Sequence, residues 1–241
     1  MKTIGILGGM SWESTQAYYR GLNEGVRDRL GGYHSAPICL ISVDFAEIEA
    51  LQRAGDWNAA GRYLASSARQ AQAAGADFLL IATNTMHRVA DDVAAAIDIP
   101  LLHIADATGQ ALQRDGVSRV GLLGTRFTME QTFYRERIQS RFGIEVLTPG
   151  QKEQELIHKV IFDELVHGTV SDDSRNRFLS VIDHLAHCGA QGVILGCTEI
   201  GMLVQPEDTG VRLYDTTALH VEAALKLALE EHAGPCWAQR T

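Results

Sequence analysis

The sequence predicts an α/β fold made of two similar parallel-sheet subdomains, related by a pseudo-two-fold, with a cleft between them. Three observations carry this. Short apolar runs alternate with longer amphipathic stretches, the pattern of strands linked by crossover helices. The runs are continuously apolar rather than alternating, as expected for strands covered on both faces. The first half of the chain also recurs in the second, block by block.

In order, strands are expected over residues 4–7, 38–43, 78–82 and 101–104 of the first half. In the second half they are expected over 120–123, 146–147, 193–195 and 211–214. The stretch 58–74 is helical, with Ala60, Tyr63, Leu64, Ser67, Ala71 and Ala74 on one face. Asp56 is placed to cap its start and Gly75 to end it. Residues 177–187 repeat that pattern with Phe178, Val181, Ile182 and Leu185, followed by Gly189.

The repeat is regular. Residues 4–9 (IGILGG) match 120–125 (VGLLGT), an offset of 116. Tyr18-Tyr19-Arg20 matches Phe133-Tyr134-Arg135, and Arg62-Tyr63-Leu64 matches Arg177-Phe178-Leu179, both at 115. Residues 75–83 match 189–197 at 114. A last unit pairs Asp106-Ala107-Thr108 with Asp215-Thr216-Thr217. Four blocks in the same order at a nearly constant offset argue for duplication rather than generic α/β likeness.

Composition narrows the function. At 241 residues, 46% apolar and 21% charged, the chain is an ordinary globular protein with length for one large or two small units. With 21 basic and 30 acidic residues and no basic stripe, nucleic acid is not an expected partner. No apolar stretch approaches the roughly 20 residues of a membrane-spanning helix, so no membrane partner is expected. The start, MKTIGILGGMSWE, lacks a secretory leader pattern. Its four cysteines, at 39, 188, 197 and 236, show neither metal nor disulfide spacing. A reduced, cytoplasmic chain is the expectation.

In parallel sheets, ligands bind beyond the carboxyl ends of the strands. That singles out Gly8-Gly9-Met10-Ser11 and Gly124-Thr125-Arg126, then Thr83-Asn84-Thr85 and Cys197-Thr198-Glu199. The GILGG spacing is not a dinucleotide fingerprint, and no phosphate loop is present. Thr83 and Thr198 are candidate helix caps, and Glu199 suits a helix start. Cys197 stands in a small polar cluster at the mouth of the sheet, where a helix N-terminus is expected to lower its thiol pKa. Cys39 reads as a small hydrophobe in a buried strand, Cys188 as the end of a helix, and Cys236 as part of a Gly-Pro tail. His184 and His187 read as a solvated helix face, and His87, His103 and His220 as ordinary polar contacts. The two-fold places Thr83 opposite Cys197 across the cleft, the arrangement that two-sided proton transfer at one carbon requires. No metal or pyridoxal phosphate signature is visible, so no cofactor is expected, and hydrogen bonds with desolvation are left to stabilise a carbanion.

These residues resemble a known family. GGMSWEST at 8–15, TNTMH at 83–87, HIADAT at 103–108, GTRFTM at 124–129 and GCTEI at 196–200 are similar to the aspartate/glutamate racemases, cofactor-independent enzymes acting on amino acids. The resemblance spans nearly the whole chain. It implies a homodimer, with residues 1–100 and 212–241 forming the first subdomain and 101–211 the second. It implies Thr83 and Cys197 as the catalytic pair. Substrate contacts implied by it fall on Met10, Gln52, Asn84, Thr85, Thr125, Thr128, Thr198 and Glu199; Asn84-Thr85 beside Thr198-Glu199 suits an amino acid, with Glu199 placed to meet an ammonium group.

One departure matters. Family members mostly carry cysteine at both catalytic positions, whereas this chain has Thr83 at the first. A hydroxyl has no accessible anion near neutral pH and a thiol does. Cys197 is then the one thiolate base; the resemblance implies that it faces the L-enantiomer, so abstraction from an L-amino acid is expected to exceed abstraction from the D-form. One-cysteine relatives of the same architecture resemble arylmalonate decarboxylases and maleate isomerases. These, and a non-catalytic binder of acidic amino acids, are the alternative readings.

Overall fold

The computed structural model describes residues 1–230, so Cys236 lies outside the described residues. The first half contains β1 (Ile4–Gly8), α1 (Trp12–Leu30), β2 (Ile38–Ser42), α2 (Phe45–Ala54), α3 (Trp57–Ala73), β3 (Phe78–Ile81), α4 (Ala90–Ala94) and α5 (Ile104–Arg114). The second contains β4 (Arg119–Gly124), α6 (Arg126–Glu130), α7 (Thr132–Phe142), β5 (Glu145–Leu147), α8 (Gln151–Asp163), α9 (Asp172–His187), β6 (Val193–Gly196), α10 (Ile200–Leu203), β7 (Leu213–Asp215) and α11 (Thr216–Leu229). The sheets run β2-β1-β3 and β5-β4-β6-β7, and every pairing is parallel.

Each sheet is covered on both faces. Ile4, Ile6, Phe78 and Leu80 pack against α1 and α11, while Leu7, Leu79 and Ile81 pack against α2 and α3. In the second sheet, Leu123, Val193 and Leu195 face α8 and α9. Val120, Leu122 and Ile194 face α5 and α7. The last helix of each half therefore packs on the other half's sheet: α5 leaves the first sheet for the second, and α11 does the reverse.

The crossing points differ slightly from the expected boundaries. Leu101 still bridges to Leu79 of the first sheet, and 213–215 extend the second. The chain changes subdomain at His103 and Asp215, the residues that cap α5 and α11. These caps are the true equivalents in the repeat, so the expected match of Asp106 with Asp215 is out of register by three residues. The expected strand 101–104 is reduced to that one bridge because His103 Nδ1 accepts from Ala105 N–H and starts the helix.

The ends of other elements follow their caps. Asp56 accepts from Ala59 N–H and starts α3, as expected. Helix α9 begins five residues before the expected 177, because Ser171 caps it and its first turn is polar. Strand β2 is an edge strand rather than a doubly buried one: Leu40 is 41% exposed and Cys39 is half-buried. Its apolar run was no guide to its position in the sheet. Gly9, at φ +89°, lets the chain turn sharply off β1, and a Cβ there would overlap the Val43 carbonyl. Among the described residues, no helix is long and apolar enough to cross a membrane.

Candidate active site

The loops after β1, β3, β4 and β6 converge on one cavity. Met10, Gln52, Thr83, Asn84, Thr85, Thr125, Cys197, Thr198 and Glu199 all line it. Thr128 does not; it is fully buried behind the wall, 3.2 Å from Thr125 Oγ1 and 3.5 Å from Thr85 Oγ1. Thr85 and Thr125 approach to 3.1 Å, so three hydroxyls tie the two halves together beside the cavity. Free space inside is about 30 Å³, room for about two ordered waters. Ser11, Phe45, Phe162 and Val166 continue into a larger cleft of about 570 Å³, and Gln52 and Phe162 into another of about 340 Å³ that holds Arg53, Arg126 and His158.

Asn84 is held from one end. Its Nδ2 donates to Thr216 Oγ1 at 2.9 Å, and that hydroxyl donates to the Leu195 carbonyl. Among the described residues its Oδ1 is buried without a partner. A buried orphan acceptor is costly, and here it belongs to a side chain lining the cavity, ready for a donor on a ligand. Gln52, also buried, donates from Nε2 to Met86 Sδ at 3.0 Å.

Among the described residues, Glu199 is the one charged side chain in the lining. It is 5% exposed and accepts three bonds: from Ser11 Oγ at 2.6 Å, Thr198 Oγ1 at 2.6 Å and Cys197 Sγ at 3.0 Å. Ser11 itself caps α1 by accepting from Ser14 N–H at 3.2 Å. Burial, then the charge of Glu199 and the bond to it, push the Cys197 thiol well above its ordinary pKa. The expected lowering by a helix N-terminus is thus reversed. Helix α10 has only four residues and begins three positions after the cysteine, so its dipole is weak beside a full charge.

Thr83 and Thr198 are not helix caps. Thr198 spends its hydroxyl on Glu199, and the 3₁₀ turn Thr85–Val89 follows Asn84 without a side-chain cap. The Thr83 carbonyl accepts from His87 Nδ1 at 2.8 Å. His87, His103 and His220, separate polar contacts in the sequence, cluster in tilted and edge-on contact: His87 lies 4.4 Å from His103 and 5.9 Å from His220 between ring centres. The apolar wall of Phe45, Ile161, Phe162 and Val166 was not among the residues expected from sequence. The tail of α8 gives no local sign of which side chains leave the core.

Residues 7–224 match the family model for Asp/Glu/Hydantoin racemase. The chain belongs to the Asp/Glu/hydantoin racemase family. Its fold and length agree with relatives in that family. A Yersinia pestis protein, provisionally named an Asp/Glu racemase, is 51% identical, with 95% of this chain and 100% of that one covered at a TM-score of 0.90. An aspartate racemase homologue from Pyrococcus horikoshii OT3 is 32% identical over 95% of this chain and 99% of its own, at 0.83. Glutamate racemase from Francisella tularensis, solved with D-glutamate, is 17% identical and shares the fold at 0.66, with 99% and 84% covered.

Proposed function

We propose that the chain racemises an acidic amino acid, L-glutamate or L-aspartate, with Cys197 as the thiolate base and Thr83 serving the opposite face of Cα. The observation that carries this reading is that Thr83 and Cys197 are equivalent in the repeat, follow equivalent strands, and line one cavity. The Cys197 thiolate takes the α-proton, and the C–H electron pair moves into the substrate carboxylate. Thr83, replenished by water, delivers a proton to the other face. The water that reprotonates Thr83 is left as hydroxide, which takes up through solvent the proton now on Cys197; this restores the thiolate, leaves the net proton count unchanged and needs no cofactor.

The electrostatics support a role for the substrate in making the thiolate. An ammonium group against Glu199, with Asn84 Oδ1 as a second acceptor, cancels the charge that holds the thiol up. Proton transfer out of the thiol then becomes easier when substrate is bound. Because the enantiomers have equal free energy in water, kcat/KM must be equal in both directions. A lone thiolate can skew kcat and KM together but cannot make the enzyme one-way.

The test is ¹H NMR in D₂O with each enantiomer of aspartate and glutamate, following the Cα proton. Exchange on an L-acid, abolished by Cys197→Ser, is the expected result; exchange that survives the substitution removes Cys197 as base. Thermal stabilisation by L-glutamate with no deuterium uptake would leave a binding protein.

A second substrate class is favoured by the lining itself. Among the described residues Glu199 is its single charge, and one wall is Phe45, Ile161, Phe162 and Val166. The cations that the acidic reading needs, Arg53 and Arg126, stand in the adjoining cleft past Gln52. Asparagine and glutamine, isosteric with the two acids, separate the readings: faster exchange of the amides moves the substrate class to uncharged side chains.

A further inference from the structure

We infer that His87 is a positioning residue: it fixes the Thr83 side of the cavity to α5 and so controls proton delivery to the second face of Cα. The inference rests on the racemase reading above. His87 is 3% exposed and follows Thr83 by four residues. The backbone N–H of Ile104 donates to its Nε2 at 3.1 Å. A backbone N–H can only donate, so Nε2 carries no proton and Nδ1 does. Nδ1–H therefore donates to the Thr83 carbonyl at 2.8 Å. Both ring nitrogens are committed, which leaves His87 no proton to exchange and makes it a strut.

The strut joins two bodies. Thr83 follows β3 of the first sheet, while Ile104 opens α5, which packs on Val120, Leu122 and Ile194 of the second. The neighbouring rings hold the far end still. His103 Nδ1 accepts from Ala105 N–H, and His220 Nε2 donates to the Leu102 carbonyl while its Nδ1 accepts from Tyr18 Oη. The Cys197 loop is tied to the other half through its side chains, by Glu199 to Ser11, and among the described residues no histidine stands on its backbone carbonyl. The repeat offset of 114 puts Gly201 where His87 stands, and the Cys197 carbonyl is met by its own local turn, Ile200 N–H at 3.2 Å. Loss of His87 should therefore damage one half-reaction and spare the other.

Washout and inversion separate the two halves. In D₂O, removal of the L-proton by Cys197 appears as loss of the Cα signal, and delivery from the Thr83 side appears as the D-enantiomer by chiral analysis. In His87→Phe, which keeps a buried ring without its hydrogen bonds, washout should stay within about threefold while inversion falls tenfold or more. His87→Asn, whose Nδ2 stands near the place of Nδ1, should recover part of the inversion and covers the case in which the Phe variant does not fold. Washout and inversion falling by one common factor in the folded variants, or neither changing, overturns the inference. A wild-type protein that exchanges no amino acid overturns the racemase reading instead.

Discussion

The Cys197 thiol donates to Glu199 Oε2 across 3.0 Å, while Glu199 Oε1 is held by Ser11 at 2.6 Å. A carboxylate so placed raises the thiol pKa by charge and by hydrogen bonding, on top of burial. In the proposed reaction it is also the partner of the substrate ammonium. The two roles oppose each other in a substitution.

Glu199→Gln removes the charge and weakens the acceptor. The Cys197 pKa should fall toward its ordinary value, so alkylation at pH 7, resolved by site with mass spectrometry, should speed up. Turnover should drop by about 10- to 100-fold, the loss expected when a charged partner of the substrate ammonium becomes a neutral amide. Faster labelling with slower turnover is the signature. If both quantities rise, Glu199 only suppresses the thiolate and takes no part in the reaction.

Thr83→Cys restores a second thiol on the face opposite Cys197. The D-enantiomer then meets a base whose anion is reachable near neutral pH. Both kcat and KM in the D-to-L direction should change, with kcat rising, and kcat/KM should stay equal in the two directions. Initial rates by circular dichroism from each enantiomer measure this. An unchanged D-side kcat means that Thr83 does not stand at the second face.

Much of this arrangement is legible in the sequence, and the exceptions have physical causes. Strand runs and the repeat are local signals, so 4–7, 120–123 and 193–195 fall within observed strands. The convergence of Thr83 and Cys197 follows from the repeat alone, and both line the cavity. The pKa of Cys197 did not follow from its place beside a turn, because Glu199, two residues on, folds its carboxylate back onto the sulfur. That folding is tertiary: Ser11, 188 residues away, holds the other oxygen. The apolar wall and the histidine cluster were hidden for a similar reason. The histidines meet because α5 and α11 cross between the halves, and the wall forms where α2 of one half meets α8 of the other; neither contact leaves a local periodic trace.

The histidine cluster makes stability depend on pH. Burial lowers all three: His87 well below 6.5, His103 to about 2 and His220 to about 4. A histidine whose folded pKa is depressed binds its proton more readily when unfolded. Stability is therefore full above the unfolded value near 6.5 and falls as pH drops below it, until each folded pKa is reached. His220 alone should cost about 3 kcal/mol by pH 4. Urea unfolding between pH 8 and pH 5 should show a plateau and then a decline, with at least two protons taken up on unfolding. His103→Asn isolates one of them. Asparagine caps a helix at least as well as the imidazole that accepts from Ala105 N–H, so α5 should persist while the slope below pH 6 loses about one proton. An unchanged slope in that variant would mean that His103 is charged, or exposed to water, in the folded protein.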